Sequence, residues 1–155
     1  MRVLFLFGEI CSGKSTFDAG QGSIRITVSN IVKRLMQSED REILQKSKHL
    51  DTIIADEIIE EISNIYAYFA PLPQYLIVDG IRQYSIVEQV QKWVTANTKI
   101  PVEYKWLEVD SAERKRRFEA RKDPKDTLTF EEAEKRDNEL GLSQLFSILK
   151  EQNKI

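Results

Sequence analysis

The chain has 155 residues, 41% of them hydrophobic and 31% charged, with a net charge of −2. That apolar content suits one compact core and excludes global disorder, while the near-neutral balance gives no reason to expect bulk nucleic acid or anionic lipid as a partner. A single cysteine excludes an internal disulfide and fits a reducing compartment, so a cytoplasmic protein is expected.

Val3-Leu4-Phe5-Leu6-Phe7 is a continuous apolar run, the pattern of a strand buried on both faces. It is too short for a secretory core, and no later stretch reaches the roughly 18 apolar residues of a membrane span, so no membrane partner is expected. Ile24 to Val28 alternates and reads as a second strand. A short helix is expected over Asn30 to Gln37, with Ser29 as N-cap. From Asp51 to Phe69 the residues Ile54, Ile58, Ile62, Ile65, Tyr66 and Phe69 fall at helical spacing, and Pro71 and Pro73 stop that helix. Tyr75 to Val78 is another buried-strand run, ending at Asp79-Gly80. Ile86, Val87, Val90, Trp93 and Val94 mark one face of a further helix, and Val102 to Val109 reads as a strand. Three helical segments follow: Ser111 to Lys122, Thr129 to Leu140, and Leu142 to about Asn153. Strands alternating with helices predict an α/β fold with a parallel sheet, as a three-layer α/β/α sandwich. With no repeat or linker, residues 1–155 read as one domain.

The loop after the first strand reads Gly-x-x-x-x-Gly-Lys-Ser from Gly8 to Ser15. Ligands of parallel sheets bind beyond the carboxyl ends of strands, where this loop lies. Gly8 and Gly13 let the backbone curl until its N–H groups surround a phosphate. Lys14 adds a compact charge for the β- and γ-phosphates, Ser15 offers a hydroxyl to Mg²⁺, and the following helix would aim its positive end at the same anion. A glycine-rich turn with a surface lysine is the plainer reading. Cys11 lies inside the loop, as a small residue or as a thiol activated by a helix N-terminus.

Arg114, Arg117 and Arg121 are spaced to share one helical face. They would stabilise a transferring phosphoryl group, or form a solvated face balanced by Glu113 and Glu119. The residues "GEICSGKST", "VDGIR", and "LEVDSAERKRRFEARKD" followed by "FEEAEKRD" resemble the P-loop small-molecule kinases, in the nucleotide-kinase and dephospho-CoA-kinase branch. The resemblance covers most of residues 1–150. It implies a P-loop NTPase fold with a five-stranded parallel core, a helical lid at about 111–140, and an ATP- and Mg²⁺-dependent kinase. By similarity Gly8, Ser12, Gly13, Lys14, Ser15 and Thr16 hold the phosphates, and Arg117 and Arg121 are lid arginines. Asp79 lies near Mg²⁺ and the acceptor, as a base or as the orienter of a metal-bound water; Ser15 is its partner at the metal. Arg82 and Arg136 would bind phosphate of substrate or nucleotide.

The sequence departs from that family in three places. Gly20-Gln21-Gly22-Ser23 ends any helix soon after the loop, so the helix behind it is expected to be stunted. Val28-Ser29-Asn30 stands where dephospho-CoA kinases place a catalytic aspartate, and the family's final strand has no clear counterpart. The missing carboxylate favours an acceptor that is already anionic, such as a phosphate monoester. Arg34 and Arg41 flank the short helix after the second strand, as holders of the acceptor phosphate or as exposed arginines. Tyr66, Tyr68 and Phe69 would stack on a base or pack in a core, and the lone His49 supports neither a histidine metal site nor a catalytic triad. Three readings remain open: a kinase for a nucleotide-like small molecule, with DNA possible but not favoured; a kinase for a hydroxymethylated base in DNA; and a regulatory NTPase without an acceptor. The oligomeric state cannot be read from the sequence.

Overall fold

The computed structural model describes residues 1–20, 22–38, 50–121 and 127–155. Arg41 and His49 lie outside them. Strands β1 (Arg2–Gly8), β2 (Ser23–Thr27), β3 (Tyr75–Asp79) and β4 (Val102–Leu107) form one parallel sheet in the order β2-β3-β1-β4. The helices are α1 (Val28–Ser38), α2 (Leu50–Tyr68), α3 (Tyr84–Asn97), α4 (Ser111–Arg121), α5 (Phe130–Glu139) and α6 (Leu142–Glu151). The protein is thus α/β, and the described residues hold four strands where the family resemblance implies five. None of the described helices is long and apolar enough to cross a membrane.

β1 is the most apolar segment because it is central: β3 flanks it on one side and β4 on the other, and Val3 to Gly8 are all buried. Val3, Phe5 and Phe7 point into the main core. There they meet Ile31 of α1, Ile54, Ile58 and Ile62 of α2, Ile86 and Val90 of α3, and Leu145 and Leu149 of α6. Phe5 stacks with Tyr104, and Phe7 with Trp106, across the β1–β4 pair.

The opposite face is built differently. Leu4, Leu6 and Ile77 are buried there under Phe17, Ala19, Tyr75 and Leu107, and no described helix contributes. The predicted three-layer sandwich is therefore two layers among the described residues. The cause lies in the outer strands. Pairing register sets Arg25 beside Ile77, Glu103 beside Leu4 and Lys105 beside Leu6. With charges along both margins, only the two central strands present an apolar strip, too narrow for an amphipathic helix. A short extended segment covers it instead, with the Lys105 ammonium 5.5 Å from the Phe17 ring centroid.

Element ends follow local chemistry. Thr129 and Glu132 form a reciprocal capping box that starts α5. After the loop that follows β1, the chain makes only a 3₁₀ turn over Lys14–Thr16. Asp18 Oδ1 accepts from the Gly20 amide at 2.8 Å, a local turn that competes with helix, and Gly20 takes a positive φ of 105°. The stunted helix expected from Gly20 is what the structure shows. It also removes the dipole of a long helix as an anion-binding device, because three residues carry almost none.

Candidate active site

Parallel pairing brings Gly8, Thr27, Asp79 and Leu107 to the same end of the sheet, and the Gly8–Thr16 loop lies there. The loop is tightly wound. A Cβ at Gly8 would sit 2.3 Å from Ser12 Oγ and 3.2 Å from the Leu107 carbonyl oxygen. Gly13 has φ 92° and Cys11 φ 58°, so the backbone twice enters the left-handed region. The amides of Ser12, Thr16 and Phe17 close turns on Glu9, Gly13 and Lys14. Those of Cys11, Gly13, Lys14 and Ser15 make no backbone hydrogen bond among the described residues. Curled backbone with unengaged amides is the donor set an anion needs, so the loop fits a phosphate.

Lys14 Nζ donates to the carbonyls of Gly8 at 2.7 Å and Glu9 at 2.9 Å, and it lies 3.4 Å from Ser12 Oγ. Its ammonium is therefore held within the loop. Burial pushes its pKa below the ordinary lysine value; the Asp137 carboxylate opposes that, the Arg82 guanidinium adds to it, and Asp79 opposes it again. Ser12 is buried, whereas Ser15 and Thr16 are exposed.

Arg25, which the sequence reading did not single out, is central here. Its Nη1 donates to the Lys14 carbonyl at 2.9 Å and its Nη2 to the Phe17 carbonyl at 2.6 Å. Nη1 also forms an ion pair with the buried Asp79 carboxylate. The Lys14 carbonyl also accepts from the Phe17 amide, but the Phe17 carbonyl, which in a longer helix would accept from an amide further along, is taken here by the guanidinium, and the loop's exit is tied to the end of β3. A magnesium ion at Ser15 and Asp79 would meet an aspartate already paired with a cation. Among the described residues no three His, Cys, Asp or Glu side chains gather as a metal site. A Mg²⁺ there would have the exposed Ser15 hydroxyl and the arginine-paired Asp79 as protein donors, and its other ligands would be phosphate oxygens and water.

The arginine helix α4 lies against the loop. Arg117 Nη1 donates to the Cys11 carbonyl at 3.3 Å and lies 3.7 Å from where a Gly13 Cβ would stand. Its Nε donates to Glu113 at 3.0 Å. Hydrogen bonds from Arg116 and Arg117 hold the half-buried Glu113 carboxyl at a pKa of about 2. Arg114 is buried and bridges the loop to α5: it pairs with Glu9 at 3.0 Å and Glu134 at 2.7 Å, and Nε donates to the Val109 carbonyl. The shared face of Arg114, Arg117 and Arg121 is thus not uniform. Arg114 is an internal tie, Arg117 stands over the loop, and Arg121 is exposed, its guanidinium 4.7 Å from the Phe118 ring centroid.

The remaining sequence candidates disperse. Arg82 pairs with Asp137 at 2.8 Å, and both act electrostatically on Lys14, so this pair belongs to the site. Asp137 was missed, having no signal beyond its place in "FEEAEKRD". Arg136 is exposed on α5. Arg34 joins α1 to α2 through Glu57 at 2.9 Å and Glu61 at 3.3 Å. Tyr66, Tyr68 and Phe69 are exposed rather than packed in the core.

No protein-family model matches the chain, and no curated protein matches it. Among solved structures, a chain described as "Structure of the Pnkp1/Rnl/Hen1 RNA repair complex" superposes with a TM-score of 0.55 at 20% identity, over 94% of this chain and 45% of that one. A chain described as "Structure of Pnkp1/Rnl/Hen1 complex" gives a TM-score of 0.43 at 18% identity, over 83% of this chain and 41% of that one. The first likeness is one of fold, and this chain spans less than half of the chain it matches.

Proposed function

We propose that this protein is a P-loop phosphotransferase that uses ATP and Mg²⁺ to phosphorylate a nucleotide or nucleotide-like small molecule, with α4 and α5 as its lid. The observation that carries the reading is the loop itself. It has two left-handed residues, unengaged amides, the Lys14 ammonium inside it and the Arg117 guanidinium at its rim.

Each residue has a task in that chemistry. The Gly8–Thr16 amides hold the donor's phosphates in place. Lys14 and Arg117 supply positive charge where charge spreads over the transferring group, exchanging their bonds to the loop carbonyls for phosphate oxygens. A magnesium ion, when bound, neutralises phosphate charge, with the Ser15 hydroxyl and Asp79 as its protein contacts. Arg25 orients Asp79 and steadies the turn that presents Ser15. Arg121 is the second lid arginine, and Arg82, paired with Asp137 beside the loop, and the exposed Arg136 are the cations for an acceptor phosphate. An anionic acceptor needs positioning more than a base, in keeping with an Asp79 paired to arginine.

A nucleic-acid acceptor is the second reading, favoured by the RNA repair complex to which the structural neighbour belongs. The deciding measurement is transfer of label from γ-labelled ATP to nucleosides, nucleoside monophosphates, dephospho-CoA, an RNA oligonucleotide and hydroxymethylated DNA. Transfer to a small molecule is expected. Lys14→Ala should reduce turnover by about 100-fold or more. Release of free phosphate alone would instead mark an NTPase without acceptor, and Lys14→Ala with unchanged turnover would sink the loop assignment.

A further inference from the structure

The helix-covered side of the sheet holds a cavity of about 300 Å³ that borders the phosphate loop. Glu9 of the loop, Trp106 of β4, Asn138 of α5, and Ser143, Phe146 and Ser147 of α6 line it. The Trp106 and Phe146 rings meet edge to face with centroids 4.8 Å apart. Beside them is a polar edge. Ser143 Oγ donates to Asn138 Oδ1 at 2.7 Å, and Ser147 Oγ donates to the Ser143 carbonyl at 3.2 Å. The exposed Asn138 side-chain Nδ2 makes no hydrogen bond among the described residues, so the edge keeps a donor for a ligand.

Small-molecule sites have volumes of roughly 300–1,000 Å³, so this one holds a flat ring system rather than a whole nucleoside triphosphate. Aromatic walls with a few donors and acceptors at one edge are the recognition set for a heteroaromatic ring. Glu9 makes the cavity continuous with the loop: its carbonyl accepts from Lys14, and the same residue forms part of the cavity wall.

We infer that this cavity is a nucleobase subsite, in which Trp106 and Phe146 pack against the base and Asn138 reads its edge. The inference rests on the phosphate-loop reading, since a ring beside the loop has a reason to be there only if the loop holds its phosphates. Donor and acceptor both carry a base, and the experiment separates them.

The chain has two tryptophans, so Trp93→Phe leaves Trp106 as the sole tryptophan reporter. That variant is titrated with ATP and Mg²⁺, with inorganic tripolyphosphate, and with a nucleoside monophosphate over saturating tripolyphosphate. Calorimetry and Trp106 emission are followed together. Tripolyphosphate should bind without changing the emission, because it fills the loop and has no base. ATP should bind and change it, placing the donor's base in the cavity; a change with the monophosphate instead would place the acceptor's base there. Phe146→Leu, which keeps an apolar side chain but removes the ring, should weaken the responsible nucleotide about tenfold and leave tripolyphosphate unaffected. The fluorescence reading needs no change in the cavity and stands if Phe146→Leu fails to fold. Tripolyphosphate binding with Trp106 indifferent to both nucleotides would overturn the subsite and leave the loop intact. Binding of no ligand at all would overturn both.

Discussion

Phe5 and Leu6 are neighbours on one strand, yet they live in different kinds of structure. Phe5 lies with Val3 and Phe7 beneath α1, α2, α3 and α6, in a continuous apolar layer. Leu6 lies with Leu4 and Ile77 beneath a short segment carrying Phe17 and Ala19, between margins formed by Arg25, Glu103 and Lys105. The first face is held by packing. The second is held by a narrow apolar strip and by directed polar bonds, and those bonds reach the loop. The packed face thus carries most of the stability, while the other face ties the loop's exit to the end of β3.

Substitutions on the two faces should separate the two properties. Phe5→Ala should cost about 3–5 kcal/mol in denaturant unfolding, and conditions that keep the variant folded should leave ATP affinity nearly unchanged. Arg25→Ala should cost less, about 2–3 kcal/mol, because it strands a buried Asp79 whose partner was itself a quarter exposed. Its effect on nucleotide affinity should be the larger of the two. Equal effects on affinity would dissolve the distinction between the faces. Arg117→Ala should lower kcat about 30-fold, near 2 kcal/mol of transition-state stabilisation. A loss of ATP affinity with kcat untouched would move Arg117 from transfer to simple binding.

A smaller effect concerns a flaw on the packed face. Burial pushes the Tyr104 phenol up to about 12, and its hydroxyl has no hydrogen-bond partner among the described residues. Tyr104→Phe should therefore be neutral or stabilise by up to about 1 kcal/mol, read as a rise in Tm; a clear loss would mean that the hydroxyl has a partner in solution. The smallest effect is that of pH on Lys14. Its pKa in the folded chain lies below the ordinary 10.5, so the unfolded chain holds that proton more tightly. As pH rises from the folded toward the unfolded value, Lys14 should add a little stability, while ATP affinity falls with loss of the ammonium. Parallel melts and calorimetry on the protein and Lys14→Met test this: the variant should lose the opposed trends.

The strands and the loop were legible because their signals are local. Five apolar residues before Gly8 specify a doubly buried strand, and the Gly-x-x-x-x-Gly-Lys-Ser spacing specifies its loop. Even the thin outer layer had a trace in the sequence, since Ile24-Arg25-Ile26-Thr27 alternates as a strand with one polar face does. The three-layer expectation weighed the order of elements above that alternation. Arg25, Asp137 and Glu134 were not legible. Arg25 meets Asp79 across 54 positions of sequence, only once β2 and β3 lie side by side. Nothing in the residue types marks that encounter in advance. Arg114 shows the converse: its spacing with Arg117 and Arg121 is visible, but its burial between the loop and α5 is a property of the folded chain.

Arg114 also constrains how α4 sits against the loop. Its guanidinium holds Glu9 and Glu134 together, and the Phe118 and Phe130 rings meet at 5.8 Å just beyond it. Moving α4 away from the glycine turn would part a sunken cation from Glu9, while Glu134 on α5 would keep its hold on it. Replacing Arg114 would leave the Glu9 and Glu134 carboxylates facing one another without their shared cation, loosening the loop and α5 together while every group proposed to handle phosphate remained in the chain.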